Sequence, residues 1–130
     1  MLVGALLCAG CSTTYHDKRL DAPGAPTAAV LVQKFPIIGD FILYKIDDHN
    51  RPAGFKKRFE VVPGPHSVTV GVNEGLLTGN RFRIAFDAKP GETYEINAKV
   101  TSEKIFSGTW HTWVTEVSTG KEFEGEVAKR

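Results

Sequence analysis

The chain has 130 residues, of which 42% are hydrophobic, and this is enough for one domain whose core needs no disulfide or metal. Its formal net charge is +1, from 16 basic and 15 acidic residues, which disfavours a nucleic-acid binder, since such proteins carry a basic excess or a basic face. The 13 glycines and 7 prolines separate short β-branched and aromatic runs, a pattern typical of an all-β domain with many turns.

The first ten residues are apolar, too short to span a bilayer as a helix, and end in small residues before Cys11. They predict a secretion signal, with an apolar strand or helix of the fold as the alternative. Residues 7–11 (LCAGC) resemble the lipobox of bacterial lipoproteins, with Cys8 in place of the usual leucine-like residue. No Lys or Arg precedes Lys18, so we expect translation to start upstream of Met1.

The lipobox resemblance implies that Cys11 carries a diacylglyceryl thioether and an N-acyl chain, because durable membrane anchoring requires more than one chain. Ser12 follows the cysteine, where lipoproteins kept at the inner membrane of enteric-type bacteria usually carry Asp. The implied place is therefore the outer membrane, at its periplasmic face. Cys8 and Cys11 are the only cysteines, so no thiol remains in the processed domain to bind structural zinc.

Residues 12–27 have no sustained hydrophobic period and contain Pro23, Gly24 and Pro26, which indicates a flexible tether. We expect His16, within this stretch, to be exposed to solvent. The predicted organisation is a lipoprotein signal peptide at 1–10, the lipidated cysteine and tether at 11–26, and one folded domain at 27–130.

The domain begins with short apolar runs that predict strands at 28–32, 41–46 and 55–61. Pro63-Gly64-Pro65 then predicts a turn. Beyond the turn, Val68, Val70 and Val72 alternate with Ser67, Thr69 and Gly71, the period of a strand with one buried face. Further alternating strands are predicted at 82–86, 94–100 and 110–117.

These strands lie 8 to 12 residues apart and no helical period is present. The pattern predicts a single compact antiparallel β-sandwich of about seven short strands, of the immunoglobulin-like or transthyretin-like kind. A small open barrel is the alternative.

Two stretches carry a family resemblance. Residues 61–70 (VVPGPHSVTV) and 86–94 (FDAKPGETY) resemble the V-x-P-G-x-H-x-V-x-V and later G-x-x-Y pattern of PEGA-like domains and of a group of uncharacterised bacterial lipoproteins. The resemblance covers about residues 27 to 118 and its motifs are structural. It implies a β-sandwich at the cell envelope and implies no particular activity.

Two tryptophans are the best candidates for ligand contact. Trp110 and Trp113, with Phe106 and His111 nearby, offer indole faces that can stack on sugar rings or anchor a protein interface. Three residues apart on a strand, the two indoles should face opposite ways. We therefore expect one in the core and the other partly exposed.

Basic side chains on two predicted strands form a second candidate surface. Lys56, Arg58, Arg81 and Arg83 lie on polar strand faces, where they could form a modest cationic patch for anionic lipid head groups or wall polymers. The alternative is an ordinary solvated face.

Asp47, Asp48 and His49 form the densest cluster of acid and imidazole groups. It could be a metal or acid–base site, but Asp and Asn are also the residues that a turn prefers, and a metal needs converging ligands. We expect a turn here and no metal site, and we expect His66 to bond a turn carbonyl or to lie at a sheet edge. The chain has no G-x-S-x-G motif and no glycine-rich loop that leads into a helix.

These observations predict a lipid-anchored, non-enzymatic envelope protein that acts as an accessory, binding or assembly module without a cofactor. Its expected partners are the membrane, through Cys11, and an envelope protein or peptidoglycan. The alternatives are a peptidoglycan or glycan binder that uses an exposed Trp, and, third, an enzyme.

Overall fold

The computed structural model describes residues 14–52, 54–73, 80–102 and 109–128. The predicted signal peptide, Cys11 and Phe106 lie outside the described residues. The described chain is all-β, with eleven strands and one short 3-10 helix, Lys18–Asp21. In chain order the strands are β1 (Thr14–His16), β2 (Ala29–Gln33), β3 (Phe41–Ile46), β4 (His49–Asn50), β5 (Arg58–Val61), β6 (Gly64–Val72), β7 (Arg81–Ala88), β8 (Thr93–Ser102), β9 (Thr109–Glu116), β10 (Glu122–Glu124) and β11 (Glu126–Ala128).

The strands form two sheets. Sheet A has six strands in the order β1-β5-β2-β8-β9-β10, and sheet B has five in the order β11-β7-β6-β3-β4. Both sheets contribute to one hydrophobic core, and the ring centroids of Phe86 in sheet B and Tyr94 in sheet A are 5.0 Å apart. The predicted β-sandwich is therefore confirmed in outline, and the open barrel is not the fold.

Two details of the predicted sandwich are wrong. β1 pairs with β5, and β2 with β8, in parallel, so sheet A is mixed and not purely antiparallel. The described residues form eleven strands instead of about seven, because β1, β4, β10 and β11 have only two or three residues each. Strands this short are too brief for a periodic pattern to be recognised.

The turn at Pro63 and Gly64 lies between the two sheets. The chain leaves β5 in sheet A and enters β6 in sheet B, so the turn is a corner and does not join neighbouring strands. Gly64 has φ +131°, a value that side chains with a Cβ rarely adopt. The glycine is therefore needed for the chain to change sheets at this point.

The predicted alternation of β6 is confirmed, although its polar face is also covered. Val68 and Val70 are fully buried in the core, while Ser67 and Thr69 are only 3% and 4% exposed. β6 is the central strand of sheet B, between β3 and β7. On its outer face, Tyr44 from β3 and Arg81 from β7 lie over Gly71, and the sequence of β6 alone does not indicate this.

The segment expected to be a tether is partly folded. Thr14–His16 forms β1 along β5, and the backbone N–H of Asp17 donates to the carbonyl of Glu60 at 3.0 Å. The ring of His16 lies 2.7 Å from a carboxylate oxygen of Glu60 and 2.9 Å from one of Asp21. The domain therefore includes residues before position 27, and His16 is partnered as well as exposed.

Gly125 connects β10 in sheet A to β11 in sheet B. We predict that adding one methyl group at this position strongly destabilises the fold. An added Cβ would lie 2.5 Å from the carbonyl oxygen of Arg83 and 2.7 Å from Cγ1 of Ile84. We expect Gly125→Ala to push β11 away from β7 and to lower the free energy of unfolding by about 1–3 kcal/mol, measured by urea denaturation. Gly39→Ala is the matched control, because its Cβ would meet only ordinary contacts, 3.6 Å from Pro36. Equal effects of the two substitutions would contradict the prediction.

Candidate functional site

The two tryptophans lie on opposite faces of β9, as predicted. Val114 is fully buried in the core, and the alternation of the strand places Trp110 on the same inner side. Trp110 packs against Phe41 and Phe82, with ring centroids 5.5 and 5.2 Å away. Trp113 therefore lies on the outer face of sheet A, where it is partly exposed.

Polar and aromatic groups surround Trp113. The ring of His111 lies beside the indole, with centroids 4.8 Å apart and planes 32° apart. In the strand register, Asn97 on β8 and Glu124 on β10 lie directly opposite Trp113, one on each side. We call this group, Trp113 with His111, Asn97 and Glu124, the Trp113 face.

The amide of Asn97 is held in place. Its Nδ2 donates to the hydroxyl of Thr115 at 3.2 Å and to the carbonyl of Glu95 at 3.2 Å. Both donors of the amide point at protein acceptors, so its oxygen is the atom left to accept a hydrogen bond from a ligand hydroxyl. An indole beside such an acceptor is the arrangement that a sugar ring uses, with C–H groups against the aromatic face and hydroxyls at the rim.

Trp110 does not offer a comparable site. It borders a concavity of about 80 Å³ between Phe82, Thr112 and Gly125, whereas pockets that bind small molecules are about 300–1,000 Å³. Its two aromatic neighbours and its packing against the core assign it to the interior. Trp110 is also partly exposed, but its ring packs against Phe41 and Phe82, so Trp113 is the stronger candidate for ligand contact.

The acidic cluster at 47–49 is a hairpin turn, as we expected. Asp47 and Asp48 are the two residues between β3 and β4, and both have positive φ, 54° and 63°, which is the requirement of a type I′ turn. His49 begins β4 and is exposed. The imidazole that joins this turn is instead His66, because β6 pairs with β3 beside it.

His66 is held by hydrogen bonds at both ring nitrogens. Nδ1 lies 2.8 Å from a carboxylate oxygen of Asp47, and Nε2 lies 2.5 Å from the carbonyl oxygen of Val62. Both partners are acceptors, so both nitrogens can donate at the same time only when the ring is protonated, and the two contacts therefore favour the imidazolium. The bond to Asp47 raises the pKa of His66; burial opposes this and the bond to Val62 adds to it. The predicted bond from His66 to a turn carbonyl is confirmed.

The two aspartates of the turn are both paired. Burial raises the pKa of Asp47, but hydrogen bonds from His66 and from the backbone N–H of Ser67 outweigh it, so the pKa lies below its usual value. Asp48 receives two hydrogen bonds from Arg83, at 2.8 and 3.0 Å, and these lower its pKa.

These pairs line an open concavity of about 520 Å³, together with Phe86 and Asp87. Both ring nitrogens of His66 are engaged by Asp47 and Val62, so neither is directed at the concavity. The pairs fasten the β3–β4 hairpin to β6 and β7. Within residues 14–52, 54–73, 80–102 and 109–128, no group of three or more His, Cys, Asp or Glu is placed to hold a metal ion.

The four basic residues considered as a cationic patch do not share one surface. Arg58 lies on β5 in sheet A, whereas Arg81 and Arg83 lie on β7 in sheet B. Alternation identified their polar faces correctly, but the sequence does not show which strands share a sheet. Lys56 precedes β5, so the four side chains belong to separate parts of the domain.

Comparisons with family models, curated proteins and solved structures found no match to this chain. The resemblance to PEGA-like domains therefore depends on the two motifs described above. In the part of the chain that the structure describes, no helix has the length and apolar character needed to cross a membrane.

Proposed function

We propose that this chain is a non-enzymatic binding module of the bacterial envelope, anchored by lipid at Cys11, that binds a glycan on the outer face of sheet A. The observation that carries the proposal is the Trp113 face, where a partly exposed indole lies between Asn97 and Glu124. At the periplasmic face of the outer membrane, the glycan in reach is peptidoglycan.

A flat sheet face suits a polymer better than a small free sugar. The Trp113 face lies in the middle of β9, and its polar groups come from the strands on either side. An extended glycan on this face would stack one sugar ring on the indole, and its other rings would contact the polar groups on the neighbouring strands. The binding energy would centre on the indole, since buried aromatic contacts dominate such interfaces.

Protein assembly through strand addition is the second candidate, and the sheet edges do not favour it. The edge strands of the described domain are β1 and β10 in sheet A and β4 and β11 in sheet B. Each has only two or three residues. Short edge strands of this kind are a common means of preventing edge-to-edge pairing.

We also propose that the sandwich is of the immunoglobulin-like, PEGA-like kind. The hydroxyl of Tyr94 accepts a hydrogen bond from the backbone N–H of Lys89, five residues earlier, at 2.9 Å. A tyrosine that bonds back to its own corner in this way is a hallmark of immunoglobulin-like domains. The hydrogen bond gives the G-x-x-Y motif a structural role.

Co-sedimentation of the full chain with purified peptidoglycan sacculi tests the glycan site. We expect Trp113→Ala to lower the bound fraction about tenfold, because loss of an aromatic anchor costs on the order of 1–2 kcal/mol. Phe55→Ala is the matched control, since Phe55 is an aromatic residue that is 68% exposed and lies outside the strands. Solubilised peptidoglycan fragments should compete with the sacculi.

Two results would reject the glycan site. One is a wild-type chain that stays in the supernatant. The other is a Trp113→Ala variant with a native circular dichroism spectrum that sediments as well as the wild type. In either case the search turns to protein partners, by crosslinking the lipidated chain in membranes.

A further inference from the structure

The outer face of sheet B carries an arginine held in a fixed position. The guanidinium of Arg81 lies over the ring of Tyr44, 3.6 Å from its centroid, and the hydroxyl of Tyr44 donates to the carbonyl of Val72 at 3.0 Å. A stacked guanidinium has already lost much of its side-chain freedom, so less is lost when it binds a ligand.

Gly71 makes this stack possible. It lies on β6 between Tyr44 on β3 and Arg81 on β7, and an added Cβ would lie 2.8 Å from the Tyr44 ring and 2.9 Å from Cγ of Arg81. A side chain here would push both groups off the sheet. Because Gly71 has no side chain, the guanidinium of Arg81 can lie flat across β6, the central strand of sheet B.

The carboxylates of Asp48 and Glu126 lie near the stack, but they do not form ion pairs with all of its cations. Among the described residues, Lys45 and Arg81 form no ion pair, whereas Arg83 is paired with Asp48. Nε of Arg81 is also buried with no hydrogen-bond partner, and an unsatisfied buried donor is costly. The Nε–H of Arg81 is therefore available to an acceptor that reaches it.

These groups border a concavity of about 210 Å³. Thr69 lies across from Lys45 on one side and Arg83 on the other in the strand register, so its hydroxyl stands between the two cationic strands. β3 and β7 are two strand positions apart, a distance of about 9–10 Å. Long Lys and Arg side chains on these two strands can therefore both reach one small group between them. The volume suits a single tetrahedral anionic group.

We propose that this concavity binds a phosphate group, with Arg81 and Lys45 as the cationic contacts and the hydroxyl of Thr69 as a further donor. The planar fork of arginine and the point charge of lysine are the two groups that proteins use for phosphate. Glu126, on the rim, opposes the anion. A free ion and a lipid head group are the two sources of phosphate that the experiments below distinguish. The site is separate from the Trp113 face on the other sheet.

Titration of the full chain with inorganic phosphate at low ionic strength, followed by NMR, tests the site. We expect saturable shifts at Thr69 and Arg81, with affinity lowered about tenfold by Lys45→Gln or Arg81→Gln, since each removes a charge-assisted hydrogen bond. Glu126→Gln should raise the affinity severalfold, a gain that misfolding does not produce. Lys99→Gln, an exposed lysine on β8 of the other sheet, should leave the affinity unchanged.

A second arm distinguishes the sources of phosphate. Binding to phosphatidylglycerol vesicles, with phosphatidylcholine vesicles for comparison, is measured for the wild type and for Lys45→Gln. The apolar residues 1–10 are present in both proteins and could bind vesicles by themselves. The test therefore compares the vesicle binding of the variant with that of the wild type. A difference on vesicles without saturation by free phosphate assigns the site to a lipid head group; saturation by free phosphate assigns it to the ion.

The proposal is overturned if neither phosphate nor anionic vesicles respond to Lys45→Gln. It is also overturned if Lys99→Gln weakens binding as much as Lys45→Gln does, since that result describes attraction by net charge alone. Neither outcome bears on the sacculus experiment, because the two surfaces share no residue.

Discussion

Replacing Tyr94 by alanine is expected to lower the free energy of unfolding by about 3–5 kcal/mol, a large share of the 5–15 kcal/mol typical of a domain. Tyr94 is fully buried, and its ring packs against Phe86 of the opposite sheet. Its removal leaves a cavity between the sheets that rigid strands cannot close. Urea denaturation followed by circular dichroism measures the loss.

Tyr94→Phe separates the hydroxyl from the ring. The hydroxyl accepts from the N–H of Lys89 at 2.9 Å and lies 3.0 Å from a carboxylate oxygen of Glu116, a side chain that is only 2% exposed. Leaving these buried groups unsatisfied should cost about 1–3 kcal/mol. If Tyr94→Phe is as stable as the wild type, the corner hydrogen bond does not stabilise the fold.

The same hydroxyl predicts behaviour in alkali. Burial raises the pKa of Tyr94 to about 12, from an ordinary value of 10.0. Because the pKa of Tyr94 is higher in the folded state, its hydroxyl contributes fully to the stability of the fold below pH 10. This contribution is lost as the pH rises towards 12. A titration of phenolate absorbance should show one late-titrating tyrosine, and Tyr94→Phe should remove it.

Removing His66 has the second large expected effect. His66→Ala removes the imidazole donor from the carbonyl of Val62 and from one oxygen of Asp47, which keeps only its bond from the N–H of Ser67, so we expect a loss of about 1–3 kcal/mol near pH 5. The loss should be measured by urea denaturation. It should be smaller at alkaline pH, where the wild type has already lost the charged ring.

The pKa shifts of His66 and Asp47 together determine how the stability of the fold changes with pH. The pKa of His66 is raised above 6.5, so its contribution is complete below pH 6.5 and is lost as the pH rises through the folded-state value. The pKa of Asp47 is lowered below 3.8, so its contribution is complete above pH 3.8 and is lost in acid. The pair therefore stabilises the fold most between about pH 4 and 6.5.

His16 is the control for this experiment. Its pKa is also raised, mainly by its hydrogen bond to Glu60, but its side chain is 42% exposed and should contribute little after screening by solvent. His16→Ala should keep most of the wild-type pH dependence, and His66→Ala should remove most of it. The reverse result would show that the N-terminal contacts, and not the buried pair, cause the dependence.

Features set by near neighbours in sequence could be predicted. The alternation in β6, β7 and β8 has a period of two, so the faces of Val68, Ile84 and Ile96 followed from the sequence alone. The opposite directions of Trp110 and Trp113 followed from the same geometry. Which of the two indoles points inward could not be predicted, because that depends on the sheet against which the strand packs.

Features set by distant parts of the chain could not be predicted. The parallel pairing of β2 with β8, and the separation of Arg58 from Arg81, depend on which strands share a sheet. The pair of His66 with Asp47 joins residues 19 apart, through the pairing of β3 with β6. The sequence showed both groups as turn residues and carried no signal that they meet.

The pairing of β1 with β5 determines how far the domain could move from a membrane. If Cys11 carries lipid, the three residue steps to Thr14 span at most about 10 Å, whereas fifteen steps through a free segment to residue 26 span about 50 Å. The sandwich would then lie against the lipid head groups. A polymer farther away would come within range only when β1 leaves the sheet, His16 releases Glu60 and the 3-10 helix Lys18–Asp21 unwinds. Release of this whole N-terminal segment would extend the anchor about fivefold.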